Sequence, residues 1–172
     1  MKQGYWSLED TFSGYLLNEL TFCSTNKSEK LFSHDTCPTD CVTRNSPFWN
    51  AASIDFAKKA LGNVYVMLNG TRKYGALLNT STFFKHELPY LNSDKIGRLT
   101  VYLLHTPGQE KHETCEKPKT LNILSNILLE KNITYACEDG LERMMFLLCF
   151  YNSQSSECQK LSSRKTIVYT KF

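Results

Sequence analysis

At 172 residues the chain has room for one domain, or for two small lobes sharing a core. An apolar content of 41% supports a globular interior, and 22% charged residues argue against disorder. The formal net charge is +3 and the basic residues are scattered apart from Lys58-Lys59, which excludes a nucleic-acid-binding stripe; no apolar run approaches the roughly 20 residues of a membrane-spanning helix.

Met1 to Trp6 do not read as a secretory signal peptide. Ser7 is a good helix N-cap, and Asp10 three residues on makes a capping-box-like pair. Leu8, Phe12, Leu16 and Leu20 recur at i, i+4, which predicts a single helix with one apolar face. Glu9 falls in its first turn, where the helix dipole favours an ionised carboxylate. On its own, such an acid does no more than help to start a helix. Residues 24–44 are polar, with Cys37, Cys41 and Pro38, and read as a stapled loop. A second helix is predicted from Ser46 as cap and Pro47 as first helical residue, with Phe48, Ala52, Phe56 and Ala60 on one face and Gly62 ending it. The commoner fate of a tryptophan on such a helix, here Trp49, is the core.

Residues 64–68 form a short apolar run before Asn69-Gly70, a strand and turn signal. Residues 71–94 make a long connection with Pro89, a length that is usually functional or mobile. A second strand is predicted over 99–105 and a third over 133–137. Helices are predicted over 120–131, with Leu121, Leu124 and Leu128 on one stripe, and over 141–150, with Leu141, Met145 and Leu148 inward. The polar tail from Ser153 is tied down only at Cys158. The predicted class is α/β: a helical part over 1–61, packed on a small parallel-sheet domain with flanking helices over 62–172. In such sheets ligands bind outside the carboxyl ends of the strands.

The seven cysteines are Cys23, Cys37, Cys41, Cys115, Cys137, Cys149 and Cys158. None forms a C-x-x-C pair, so no metal site is expected. Asn-x-Ser/Thr sequons at Asn26, Asn69, Asn79 and Asn132 are glycosylation candidates and weak support for a secretory route. Cysteines and sequons together suggest an oxidising compartment.

Leu8-Glu9-Asp10-Thr11, then Gly14-Tyr15-Leu16, then Leu20-Thr21 and Cys23, resemble the ADP-ribosyl cyclase family. So do Ser46-Pro47-Phe48-Trp49 and the stretch from Thr80 to Pro89, and the resemblance runs along nearly the whole chain. It implies that Glu87 is the catalytic glutamate and that Glu9 lies in the active site beside the nicotinamide of NAD. It also implies that Trp49 stacks on the nicotinamide ring, that Ser53 lies near the substrate phosphates, and that Thr82 and Phe83 line the ribose and phosphate region. The disulfides it implies are Cys23 with Cys37, Cys115 with Cys137, and Cys149 with Cys158, each closing a local loop worth roughly 3 kcal/mol. Cys41 is left over. In vertebrate members its counterpart bonds far upstream, so the resemblance implies that an N-terminal helical portion is missing here.

The activity implied is that of an NAD glycohydrolase and ADP-ribosyl cyclase. Nicotinamide leaves NAD as a neutral molecule, so the barrier lies in the oxocarbenium-like ribosyl centre, which a nearby carboxylate stabilises or captures. NAD is the substrate, so no cofactor and no metal are expected. Nucleic acid is not an expected partner. Membrane attachment through a segment outside this chain and oligomerisation are left open, and the expected location is an extracellular or cell-surface ectodomain. The alternative is a non-catalytic extracellular binding module on the same scaffold. The presence of Glu9, Trp49 and Glu87 together favours the enzyme.

Overall fold

The computed structural model describes residues 6–17, 20–25, 28–33, 42–43, 45–140, 149, 154–156 and 158–159. The chain divides into two compact units, Met1–Ala60 with Thr80–Asn92, and Leu61–Asn79 with Ser93–Phe172. The class is α/β, as the sequence predicts, with a three-stranded parallel sheet in the second unit.

The first unit is less helical than its sequence suggests. The expected long first helix is two separate pieces, a 3-10 turn over Leu8–Asp10 and α1 over Phe12–Leu17. Thr11 divides them. Its backbone is extended, and its hydroxyl donates to the Leu8 carbonyl (2.6 Å) and accepts from the Gly14 amide (3.0 Å). Thr11 is therefore the N-cap of α1, and a threonine hydroxyl that competes for backbone partners interrupts the ladder. The i, i+4 stripe accordingly fails to form a buried face: Phe12 is 79% exposed and Leu16 50%.

The predicted loop after it holds an antiparallel sheet instead. Strand β1 (Leu20–Thr25) pairs with β2 (Ser28–Ser33) and with the short β3 (Val42–Thr43), in the order β2-β1-β3. In the register of the first pair Phe22 opposes Leu31 and Thr21 opposes Phe32. Cys37, Cys41 and Asn26 lie outside the described residues, and with them the Cys23–Cys37 pairing.

Helix α2 (Asn45–Lys59) is present, but its inward face is not the one predicted. Ser53 and Ala57 are buried, while Ala52 and Phe56 are only half-buried. The face is rotated by one residue, and it is lined by small side chains. The loop residues Thr80–Asn92 pack back on it through a π-helical turn (Phe83–Glu87) and a 3-10 turn (Leu88–Tyr90). The sequence-based boundary at residue 61 does not anticipate this return.

In the second unit β4 (Gly62–Asn69), β5 (Ile96–Leu104) and β6 (Thr134–Asp139) form the parallel sheet, with β5 central. Leu99, Val101 and Leu103 of β5 are fully buried. Helix α3 (Leu121–Glu130) packs beside β6 with Leu121, Leu124 and Leu128 inward, the stripe read from the sequence. Asn132 takes the left-handed conformation (φ 56°) just after α3, where an asparagine ends a helix at little cost. Disulfides join Cys115 to Cys137 and Cys149 to Cys158. Apart from Cys149, the predicted last helix lies outside the described residues. Among the described residues no helix is long and apolar enough to cross a membrane.

One buried acid organises this unit's loops. Glu113 is 1% exposed, and its two oxygens accept from the amides of Ala76 (2.5 Å), Lys119 (2.6 Å) and Leu121 (2.8 Å) and from the Thr120 hydroxyl (2.7 Å). Burial alone would raise its carboxyl, but the amides of Ala76 and Leu121, the Thr120 hydroxyl and the Lys119 amide bring it below the ordinary glutamate value. A buried carboxylate with four donors is a satisfied one.

Candidate active site

The candidate catalytic and substrate-binding residues Glu9, Trp49, Ser53, Thr82, Phe83 and Glu87 all lie in the first unit. Glu9 is carried by the turn that precedes α1. Asp10 accepts from the Ser7 amide (2.7 Å) and the Ser7 hydroxyl (2.8 Å), which closes the turn from its front. Those two bonds, the backbone one first, hold the Asp10 carboxyl below its ordinary value. Thr11 closes the turn from behind. Gly14 completes the arrangement: a Cβ there would lie 2.1 Å from the Leu8 carbonyl oxygen, so only glycine lets α1 approach the turn this closely. The Glu9 side chain is exposed, on a backbone fixed from both sides.

Glu87 ends the π-helical turn. Ser81 starts that turn: its hydroxyl accepts from the Phe84 amide (3.2 Å) and its carbonyl from the Lys85 amide (3.0 Å). The Leu88 amide then reaches the Phe83 carbonyl, the wider spacing of a π turn, a feature often found at functional sites. Leu88 is buried directly after it and pins the segment. Glu87 itself is half-buried.

Glu9 acts on Glu87. Burial raises the Glu87 carboxyl above the ordinary glutamate value, and the negative charge of Glu9 raises it further. A hydrogen bond from the Ser53 hydroxyl and the neighbouring His86 pull it the other way. Ser53 is 2% exposed on α2, directly under the π turn. Trp49, one helical turn earlier, is half-buried and meets the Phe48 ring edge-on at 5.1 Å between centroids. Thr82 is exposed at the start of the π turn, and Phe83 beside it is half-buried.

Glu9 and Glu87, with Ser53 between α2 and the π turn, thus make a pair of carboxylates of unlike environment. One is exposed and the other is partly buried and hydrogen-bonded. Such a pair can place a fixed negative charge next to an electron-poor centre while a second acid stays in water. Among the described residues no group of three or more His, Cys, Asp or Glu side chains could hold a metal ion. The Ser53–Glu87 bond is absent from the sequence reading, because a serine in mid-helix carries no signal for a distant acid. Glu113 is missed too, since Glu110-Lys111-His112-Glu113 reads as surface.

The sequence model described as ADP-ribosyl cyclase matches residues 1–158. The chain is 35% identical over 159 residues to the ADP-ribosyl cyclase/cyclic ADP-ribose hydrolase of Aplysia kurodai, covering 90% of this chain and 55% of that protein. It is 32% identical over 160 residues to ADP-ribosyl cyclase/cyclic ADP-ribose hydrolase 1 of Rattus norvegicus, covering 90% of this chain and 51% of the rat protein. The chain spans about half the length of these curated relatives. A solved structure of Aplysia cyclase complexed with substrate NGD and product cGDPR is similar with a TM-score of 0.74 and 34% identity, over 91% of this chain and 62% of that one.

Proposed function

The chain belongs to the ADP-ribosyl cyclase family, and from that premise we propose that it cleaves the nicotinamide–ribose bond of NAD. The observation that carries the proposal is the Glu87 carboxylate, half-buried, hydrogen-bonded by Ser53 and within the field of Glu9.

In this reading the C1′–N bond breaks with its electron pair going to nicotinamide, which leaves as a neutral molecule. The ribosyl carbon becomes electron-poor. Glu87 faces it and either stabilises the positive charge or bonds to the carbon, as a glycosidase carboxylate does. Ser53 holds the Glu87 carboxylate through its hydroxyl. Glu9 binds the nicotinamide carboxamide and influences the next step. Attack by water, which loses its proton, gives ADP-ribose. Attack by the adenine ring of the same molecule gives cyclic ADP-ribose. Trp49 offers a flat apolar face to the nicotinamide ring and excludes water, and Thr82 and Phe83 line the ribose and phosphates. NAD is the substrate, so the chemistry calls for no cofactor.

The proposed setting is extracellular or at the cell surface, which two disulfides favour. Asn79 and Asn132 are exposed and accessible to glycosylation, whereas Asn69 is half-buried and spends its Oδ1 on the Thr71 amide (2.9 Å). Membrane attachment through a segment outside this chain and self-association belong to the same proposal. Incubation with NAD, following nicotinamide release, tests the reading. Release that depends on Glu87 supports it, and an absence of release, alone or with the relatives' remaining length supplied, would favour a binding module.

A further inference from the structure

The segment Thr80–Asn92 belongs to the first unit, yet both of its ends run into the second. The two roots are held differently. The returning root is backbone: the Gly62 amide donates to the Lys95 carbonyl (2.8 Å), and Ile96 pairs with Gly62 at the start of the parallel sheet. The departing root lies in no strand. Its amides are spent on side chains. The Ala76 amide donates to Glu113 Oε2 (2.5 Å) and the Leu77 amide to Thr120 Oγ1 (2.9 Å), while that same hydroxyl donates to Glu113 Oε2 (2.7 Å). Ala76 and Leu77 are both buried. Gly75 makes the approach feasible: it sits at φ +108°, and a Cβ there would lie 2.3 Å from the Thr120 side chain. The other Glu113 oxygen takes the Lys119 and Leu121 amides, at the start of α3. The carboxylate therefore ties the departing root to the first turn of a helix whose apolar face is fully buried.

We propose that Glu113 is a positioning residue: by fixing the amides of Ala76 and Leu77 it sets the root from which Thr80–Asn92 departs, and so the placement of Thr82, Phe83 and Glu87. Its chemical consequence rests on the NAD-cleaving reading above; the anchoring itself does not. All four partners are donors, so the site requires a group that only accepts. A glutamine has the same shape, but its NH2 faces two donors and loses both bonds. The Thr120 hydroxyl must both give and take, which serine can do and valine cannot. Misplacement of a catalytic group by about 1 Å costs on the order of 100-fold in rate, so loosening this root reaches the chemistry without touching it.

The test compares Glu113→Gln, Thr120→Val, Thr120→Ser and Leu124→Ala in the full chain, by NAD turnover below the melting temperature and by amide hydrogen exchange. Glu113→Gln and Thr120→Val should lower kcat by about 10- to 100-fold with a smaller change in KM, and should speed exchange across residues 76–88. Thr120→Ser should retain both. Leu124→Ala removes buried core and lowers the melting temperature, but should keep kcat per folded molecule. Wild-type kcat and unchanged exchange in Thr120→Val would overturn the proposal, as would an equal loss of kcat in Leu124→Ala. If Glu113→Gln does not fold, the valine–serine pair at Thr120 decides. If the wild type releases no nicotinamide, the NAD-cleaving reading falls, and the exchange comparison at residues 76–88 decides the anchor on its own.

Discussion

Ser53, buried on α2, donates a hydrogen bond to the carboxylate of Glu87, the last residue of the π-helical turn that packs on that helix. The bond joins two residues far apart in sequence, and it opposes what burial and Glu9 do to the same acid. Glu87 sits above the ordinary glutamate value, but less far above it than burial and a second acid alone would put it. An ionised Glu87 is the working form in the proposed reaction, so the rate should fall on the acid side as Glu87 takes up a proton.

Ser53→Ala removes a bond that favours the charged form. The acid limb of the rate profile should then move to higher pH, and turnover at mildly acidic pH should suffer more than turnover at neutral pH. Nicotinamide release across the pH range, compared with wild type, reads this directly. An unmoved limb would mean that the hydroxyl does not act on the carboxylate.

Glu9→Gln acts in the opposite sense. It removes the negative charge that raises Glu87, so the acid limb should move to lower pH. The rate should drop less than for a change at Glu87, and the ratio of cyclic product to ADP-ribose should change. Separating the two products chromatographically at matched conversion checks the second part.

Most of the second unit was legible because apolar residues run together in its elements, buried in β5 and on the inner stripe of α3 and half-buried or exposed in β4 and β6. The strands around Val66, Val101 and Ala136 and the stripe of Leu121, Leu124 and Leu128 announce themselves by apolar content alone. The first unit hides its structure in polar residues. Thr11 fits a helix by pattern, yet caps a new one through its hydroxyl. The alternation around Phe22 and Leu31 is broken by serines and charges, and reads as loop. α2 turns its small residues inward so that another segment can approach, whereas the larger apolar residues suggested a different face. Glu9, Trp49 and Glu87 enter the candidate site through the family resemblance rather than by spacing. Glu113 gave no sign, because the amides that satisfy it come from loops whose meeting no local pattern predicts.

Gly14→Ala should disturb the turn that presents Glu9. The new methyl group overlaps the Leu8 carbonyl, and relieving it means moving α1 off the turn. A loss of about 1–3 kcal/mol in folding stability is expected, as for other overpacked sites. Thr11→Ala should cost about 1 kcal/mol through the lost cap. Denaturant titration of both variants measures these values, and a Gly14→Ala protein as stable as wild type would show that the approach is looser than described.

Glu113 should also leave a mark on acid stability. Its carboxyl is lower in the folded chain than the ordinary value of 4.5, so its contribution is fully present above that pH and is lost as the pH falls through the folded value. The stability gap between wild type and Glu113→Gln should be widest near neutral pH and should narrow below about pH 4.5. Urea titrations at a series of pH values test this, and a gap independent of pH would contradict it.

Nicotinamide release from NAD by the Glu87→Gln chain, beside an active wild-type form, tests the central claim most directly. The amide keeps the shape and removes the charge proposed to face the ribosyl centre, so release should fall by about two to three orders of magnitude while NAD binding persists. Folding should not suffer. Glu87 is raised in the folded chain, so its ionised form costs stability at neutral pH, and the uncharged variant should melt no lower than wild type. A folded Glu87→Gln protein that releases nicotinamide at the wild-type rate would contradict the account.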